Sequence, residues 1–366
     1  MINTDTKFMR RALFLAQSRG IDASPNPRVG AVLVRKGRIV GEGATRPYGG
    51  PHAEVVALQL AGSRARGSTL FVTLEPCSHH GKTPPCADAV IRAGVRKVVA
   101  AIKDPFPQVR GRGFGRLRAS GIDVQVGLLK VEAERINETF LWSVRHGRPK
   151  VILKAAVSAD GKISPPPGKS KWITSGPARL KAHELRSKVD AVLVGRNTAV
   201  IDNPSLTVRL PGYHRRDGWP LRVVLDSALS LKFSSGLFKG RAKTVLFTSP
   251  GASRKREKAL ERKGILVFRV PLVKKMLSLR AVLKKLHTLR VRALLVEGGG
   301  EVHSSFMREK LLDEVALFIS PKLLGGGAKA WLGGDGFAKI LNARHLKRVN
   351  LEPVGPDFLL TGQWKA

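Results

Sequence analysis

Pro51-His52-Ala53-Glu54 and Thr73-Leu74-Glu75-Pro76-Cys77-Ser78-His79-His80-Gly81-Lys82-Thr83-Pro84-Pro85-Cys86 are the two pieces of sequence on which the fold of the first half turns. The first opens a helical pattern that runs to about Ala61. The second follows an apolar strand, Thr69 to Thr73, and leads into another helical pattern from about Ala87 to Ala93. One His and two Cys in this order, on a strand-and-helix framework, match the zinc-deaminase pattern. There an imidazole and two thiolates hold the metal, and the Glu two residues after the His is not a ligand. The residue types suit the chemistry, because three ligands leave the fourth tetrahedral position to water, whose pKa the metal draws towards neutrality. Glu54 can take the released proton and return it to a ring nitrogen and to a departing amine. The candidate centre is therefore His52, Cys77 and Cys86 around one zinc per chain, with Glu54 as the catalytic proton carrier. Deaminases in general leave two residues between the cysteines, whereas eight stand here, Ser78 to Pro85. His79 and His80 are rival ligands, and two buried free cysteines beside a surface histidine are the bland alternative.

Outward from this centre the pattern is α/β. Apolar positions Phe8, Ala12, Leu15 and Ala16 recur at helical spacing, and Val29 to Val34, Lys36-Gly37 and Arg38 to Gly43 read as a hairpin with a short turn. Strands Lys97 to Ala101 and Ile122 to Val126 complete the first half. Arg145-His146-Gly147-Arg148-Pro149 is a polar break before the fresh apolar strand Val151 to Val157, which separates residues 1–146 from residues 150–366. Beyond it, Ala191 to Gly195, Leu221 to Asp226, Thr244 to Thr248, Ile265 to Val270, Ala293 to Glu297 and Val315 to Ile319 read as buried strands of a second doubly wound domain. Glycines 298 to 300, between a strand and a helix from about Val302 to Glu309, can bring backbone N–H groups and a helix N-terminus to a pyrophosphate. A tight structural turn would use the same glycines.

The 366 residues hold 65 Lys and Arg against 27 Asp and Glu, a formal charge of +38, with an ordinary globular 43% of hydrophobic residues. That composition excludes wholesale disorder. Two cysteines cannot staple a chain of this length, no apolar run is long enough to span a membrane, and the first residues lack a secretory leader pattern, so a reducing, cytoplasmic location is expected. The basic excess runs through both halves. It is densest in residues 251–300, where Arg254 to Lys263 and Leu277 to Leu289 read as surface helices.

The long loop between the cysteines, with Pro25-Asn26-Pro27-Arg28-Val29-Gly30 and Pro51-His52-Ala53-Glu54, resembles the bifunctional deaminase/reductase family of riboflavin biosynthesis. The likeness continues through Lys154, Ser158-Ala159-Asp160-Gly161-Lys162, Trp172-Ile173-Thr174-Ser175, Asp202-Asn203-Pro204-Ser205-Leu206-Thr207-Val208-Arg209 and Val296-Glu297-Gly298-Gly299-Gly300, so it covers nearly the whole chain. The resemblance implies a cytidine-deaminase-like α/β/α domain followed by a dihydrofolate-reductase-like α/β domain. It also implies two consecutive reactions: hydrolytic deamination of 2,5-diamino-6-ribosylamino-4(3H)-pyrimidinone 5′-phosphate, then NADPH-dependent reduction of the ribosyl group to ribityl. By the same resemblance, Asn26, His79, Lys82 and Asp104 hold the deaminase substrate. Lys154, Asp202 and Glu297 line the reductase site at strand ends or in loops. Ser170, Thr174, Arg186, Leu206, Arg209 and Glu297 hold its substrate, with the arginines on the phosphate. Val157, Trp172, Thr198, Asp202, Ser227, Gly299, Gly300, Glu301, Val302, His303, Ser304 and Ser305 receive NADPH.

Two positions depart from the family pattern. Phe106 in Asp104-Pro105-Phe106-Pro107 stands where the family has Asn, which removes an amide expected near the substrate phosphate, and Ala159 replaces a Leu. The rival class is a nucleic-acid base deaminase with a basic, RNA-binding second half, which the charge favours. The cysteine spacing and the scarcity of aromatic residues for stacking on bases, 6% of the chain, argue against it. A non-catalytic scaffold is disfavoured by the complete ligand set. The expected partners are small phosphorylated pyrimidines, in a chain free to form a homo-oligomer. No membrane is expected, and nucleic acid is not required, although the charge permits nonspecific binding.

Overall fold

Lys36 and Gly37 both take left-handed backbone, φ 49° and 72°, and their twist suits the two-residue turn between β1 (Gly30–Arg35) and β2 (Arg38–Ala44). The structure is a computed structural model and describes residues 4–165, 172–213, 220–334, 343 and 345–364. The hairpin enters a five-stranded sheet of order β2-β1-β3-β4-β5, in which β3 (Thr69–Val72) runs antiparallel to β1. β4 (Lys97–Ala100) and β5 (Asp123–Val126) continue parallel to β3. Helices α1 (Thr4–Gln17), α2 (Ala53–Ala61), α3 (Cys86–Arg92), α4 (Arg112–Ala119), α5 (Lys130–Ile136) and α6 (Glu138–His146) accompany it. Helix α1 buries Phe8, Met9, Ala12, Leu13 and Ala16, one face at helical spacing, into the core of Val32, Leu33, Leu70 and Phe71.

Helix α2 lies almost on the backbone of β2. A Cβ on Gly43 would stand 2.4 Å from the Ala53 carbonyl oxygen and 2.7 Å from the Ala57 nitrogen, neither of which can swing aside. Gly43→Ala is therefore expected to push α2 off the sheet and destabilise the first unit by about 1–3 kcal/mol, read as a lower denaturant midpoint. The helix it displaces carries His52 and Glu54 at its start.

Contacts divide the chain into two compact units, Met1–Gly147 and Arg148–Ala366. The second holds a nine-stranded sheet of order β11-β10-β9-β8-β14-β6-β15-β18-β17. Its strands are β6 (Lys150–Ser158), β8 (Ala191–Gly195), β9 (Leu221–Leu225), β10 (Thr244–Thr248), β11 (Leu266–Arg269), β14 (Ala293–Val296), β15 (Glu314–Ser320), β17 (Leu346–Val354) and β18 (Asp357–Trp364). Small pairs β7 (Lys162–Ser164) with β16 (Lys329–Ala330), and β12 (Leu272–Val273) with β13 (Met276–Leu277), stand apart from it. The first seven strands in the order run parallel, and those inside the sheet are buried on both faces. Ala191 and Leu193 of β8 enter one apolar cluster while Val192 and Val194 enter the other. Helices α10 (Leu279–Thr288) and α11 (Gly300–Arg308) contribute Val282, Leu283, Leu286 and Phe306 to the first cluster, and α9 (Arg254–Glu261) contributes Leu260 to the second. Helices α7 (Gly176–Ser187) and α8 (Arg196–Ile201) follow the β6–β7 segment and β8.

The sheet corrects three readings. The antiparallel hairpin β17–β18 gave no sequence signal, because β17 is exposed along most of its length and its side chains do not alternate. Strand β11 is an edge strand with Leu266 44% exposed rather than a buried one. Lys154 lies in the middle of β6, not at a strand end, and reaches the site from within the sheet. Among the described residues, no helix is long and apolar enough to cross a membrane.

Candidate active sites

In the first unit His52 caps α2, Cys86 is the first residue of α3 and Cys77 lies in the loop between β3 and α3, so two helix starts and one loop converge. His52 Nδ1 lies 3.2 Å from Cys86 Sγ and 3.6 Å from Cys77 Sγ. Ligands of one tetrahedral zinc stand roughly 3.5–3.8 Å apart, so the donor set fits the metal. His79 and His80 stay outside this cluster. Hydrogen bonds from the Cys86 thiol, from His52 and from the Cys86 N–H hold the Cys77 thiol well below the ordinary thiol range, which favours the metal-binding thiolate. Glu54, in the first turn of α2, is buried. Desolvation pushes its carboxyl up to about 7, with the charge of Cys77 raising it further and that of His52 opposing.

Glu75 stands between β3 and Cys77 and acts on the site through the backbone it holds. Its buried carboxylate accepts four backbone N–H groups, from Asp104 (3.2 Å), Gly111 (3.0 Å), Gly113 (3.0 Å) and Phe114 (3.3 Å). Glu75 thereby ties the Cys77 segment to the Asp104 loop and to the start of α4. A short acceptor between a strand and Pro-Cys was the available signal, but its four donors lie 29 to 39 residues away. Asp104 is buried, and desolvation pushes its carboxyl up to about 6, against a hydrogen bond from the Phe106 N–H. Phe106 packs on His79, ring centroids 5.7 Å apart, and His79 Nδ1 is buried without a protein partner. Lys82 is exposed, with Nζ 4.4 Å above the Tyr48 ring. Asn26 sits in the turn before β1, its N–H on the Ala23 carbonyl. Asn137 secures the same loop, accepting from Arg28 N and donating to Arg28 O, both at 2.8 Å.

In the second unit Arg186 of α7 donates from Nε and Nη2 to Glu297 at 2.5 and 2.8 Å, and from Nη1 to the Thr207 carbonyl. Lys154 Nζ lies 3.8 Å from Glu297 and over the Phe318 ring. Burial alone would raise the Glu297 pKa, but Arg186 and Lys154 hold it down at about 2. Burial lowers the Lys154 pKa, with Glu297 opposing and Arg186 assisting. Asp202, exposed at the end of α8, is not among the charges that set either value. Leu206 and Thr174 are buried, and the Thr174 carbonyl accepts from Arg179, whose guanidinium lies over the exposed Trp172 ring. Ser170 lies outside the described residues.

Of the residues read as receiving NADPH, Gly299 caps α11 and lies against Thr198, since a Cβ there would be 3.5 Å from Thr198 Oγ1. Val302 fills the space above Gly195 and Gly298. Ser304 exchanges hydrogen bonds with Gly333, and Ser305 donates to the Glu301 carbonyl. The Ser304 and Ser305 side chains are thus engaged within the protein. His303 is buried with Nδ1 3.0 Å from the Trp331 carbonyl and no protein partner for Nε2. Val157 is buried in β6, and Ser227, just past β9, receives the Ser249 N–H on its carbonyl.

The pattern of the cytidine and deoxycytidylate deaminase zinc-binding region matches residues 2–102, and that of the RibD C-terminal domain matches residues 149–360. Riboflavin biosynthesis protein RibD of Bacillus amyloliquefaciens is 42% identical over 97% of this chain and 95% of its own length. That of Escherichia coli K12 is 39% identical over 97% and 98%. Among solved structures, Acinetobacter baumannii RibD superimposes with a TM-score of 0.89 at 33% identity. The Thermotoga maritima diaminohydroxyphosphoribosylaminopyrimidine deaminase/5-amino-6-(5-phosphoribosylamino)uracil reductase does so with 0.82 at 38%, and each match covers 99% of both chains. Fold and sites together define a two-domain enzyme, a zinc-dependent deaminase joined to an NADPH-dependent reductase. The chain belongs to the RibD family of riboflavin biosynthesis, hydrolase and oxidoreductase in one polypeptide.

Proposed function

We propose that the residues above divide the two reactions as follows, and the observation that carries the reading is the buried Glu54 beside the His52, Cys77 and Cys86 cluster. His52, Cys77 and Cys86 hold the zinc, which when bound supplies a nucleophile at neutral pH by acidifying water. Glu54 would carry one proton from that water to the pyrimidine nitrogen and a second, from the hydroxyl added to the ring, to the amino group, which departs as ammonia. Asn26, His79, Lys82 and Asp104 orient the pyrimidine and its ribose phosphate, Lys82 by charge and Asp104 from a loop that Glu75 fixes. In the second unit NADPH, when bound, supplies the hydride for the sugar carbon. Lys154 supplies the accompanying proton at the sugar, Glu297 as a carboxylate 3.8 Å away orients Lys154, and Asp202 stands at the cofactor side. Ser170, Thr174, Leu206, Arg186 and Arg209 bind the phosphorylated ribose. The backbone of residues 299–305, with Val157, Trp172, Thr198 and Ser227, receives NADPH. The setting is the cytoplasm, the partners are small phosphorylated pyrimidines, and any nucleic-acid contact is nonspecific.

Purified protein with the diaminopyrimidine phosphate tests this directly. Without NADPH, ammonia and the deaminated phosphate should accumulate. With it, NADPH should be oxidised in proportion to product. NADPH oxidation on the diamino compound with no ammonia released would overturn the order of the steps.

Phe106 gives a narrower test. Its ring packs on His79 instead of presenting an amide, so Phe106→Asn is expected to lower the deaminase KM about 2- to 10-fold with kcat little changed. The salt dependence of KM should flatten as a fixed hydrogen bond replaces longer-range attraction by Lys82, Lys103 and Arg110. An unchanged KM and salt profile would assign the ring to packing alone.

A further inference from the structure

His183 belongs to no role assigned above, yet it stands in the middle of the reductase charges. It lies on α7, one turn before Arg186, and is half-buried. Its Nδ1 is 3.2 Å from the backbone nitrogen of Arg209, and its Nε2 is 3.3 Å from Nε of the same arginine. Both atoms of Arg209 carry hydrogen and neither can accept. A neutral imidazole has one lone pair on its ring nitrogens, so it satisfies only one of these contacts. The backbone N–H cannot turn away, whereas the exposed guanidinium can. Nδ1 therefore accepts from Arg209 N, and the ring proton resides on Nε2. Two donors, His183 Nε2–H and Arg209 Nε–H, then face each other at 3.3 Å with no acceptor between them.

Protonation would not relieve this, because it would add a third donor. Burial, with Arg186, Arg209 and Lys154 against Glu297, holds the His183 pKa down to about 4, so the ring is neutral near pH 7. Among the described residues, the acid of this cluster is Glu297, already taken by Arg186 and Lys154. Three of the five Arg186 donors are spent on Glu297 and Thr207, so among the described residues the neighbourhood is short of an acceptor and rich in positive charge.

We propose that His183 is a phosphate-binding residue of the reductase, its Nε2–H and Arg209 Nε–H closing together on one phosphate oxygen of the substrate. An oxygen about 2.9 Å from each nitrogen satisfies both donors. The inference rests on the reading that Arg209 meets the substrate phosphate, and it adds a neutral donor whose position the Arg209 backbone fixes.

The test compares kcat/KM for 5-amino-6-ribosylaminouracil 5′-phosphate with that for the same compound lacking phosphate, in the full chain with NADPH. His183→Asn places an acceptor near Nδ1 and so keeps the Arg209 N–H bonded, but it has nothing at Nε2. The preference for the phosphorylated compound should fall about 10- to 100-fold, as expected for a lost hydrogen bond to a charged group, and chiefly through KM. His183→Gln, which can reach the Nε2 position with an amide N–H, should recover much of the preference and covers the case in which the Asn variant does not fold. Arg209→Met separates the levels of the argument. If Arg209→Met lowers the preference and His183→Asn does not, the His183 proposal is wrong and the phosphate reading stands. If Arg209→Met leaves the preference intact, the phosphate lies elsewhere and both fall. An equal loss on the two compounds in His183→Asn would show that the ring merely props the Arg209 loop, which also overturns the proposal.

Discussion

Glu54→Ala should lower deamination by at least 10²–10⁴-fold while leaving one zinc per chain, because the side chain moves protons and is not a ligand. The same variant should still oxidise NADPH on supplied deaminated phosphate, since the carboxyl lies in the first compact unit and the reductase charges lie in the second. Cys86→Ser should differ in kind. Removing a thiolate from a three-residue donor set, at the first residue of α3, should cost both the metal and all deamination, measured as zinc per chain after dialysis against a weak chelator. Full zinc occupancy in Cys86→Ser would bring His79 or His80 back as the third ligand, against the geometry in which both stand outside the cluster. Loss of both activities in Glu54→Ala would refute the separation into two sites.

The second large effect lies in the reductase. Lys154→Ala should silence NADPH oxidation and spare deamination, because Lys154 faces Glu297 from within β6. Arg186→Met should act on stability as well. It leaves the Glu297 carboxylate buried with only Lys154 at 3.8 Å, and breaking a buried pair in this way costs about 3–5 kcal/mol, or roughly 6–20 °C in the melting temperature of a unit this size. The sign of the pH dependence follows from the depressed pKa. Glu297 is held at about 2 against an ordinary 4.5, so its stabilisation is complete above about pH 4.5 and is lost as pH falls towards 2. That interval corresponds to about 3 kcal/mol. Calorimetry of the second unit between pH 5 and 2 should show this loss in the parent chain and a flatter profile in Arg186→Met. An equally steep profile in both would mean that the Arg186 pair does not set the Glu297 pKa.

Much of this was legible from local pattern, and for a physical reason. The inner parallel strands of the second unit are buried on both faces, so they read as continuous apolar runs, and the hairpin turn at Lys36-Gly37 is announced by its glycine. His52, Glu54, Cys77 and Cys86 could be found because metal chemistry admits few residue types, and they sit at the starts of two helices and in the loop that follows a recognisable strand. By contrast β17–β18 escaped notice, since its outer strand β17 is mostly exposed and the hairpin is held through β18 by its partner strand β15.

The remaining site residues were decided by distance in space between parts of the chain far apart in sequence. Glu75 has meaning only once the folded chain delivers four N–H groups from the Asp104 loop and α4 to one carboxylate. Phe106 could be read as a missing amide, but only packing showed that its ring lies on His79. Lys154 and Glu297 were visible as residue types, yet the low pKa of Glu297 depends on Arg186 arriving from α7, and the predicament of His183 on Arg209 arriving from a loop 26 residues on. Hydrophobic periodicity reports which face of an element is buried. It carries no information about which polar groups from other elements are buried beside it, and it is those neighbours that set protonation, donor direction and therefore chemistry.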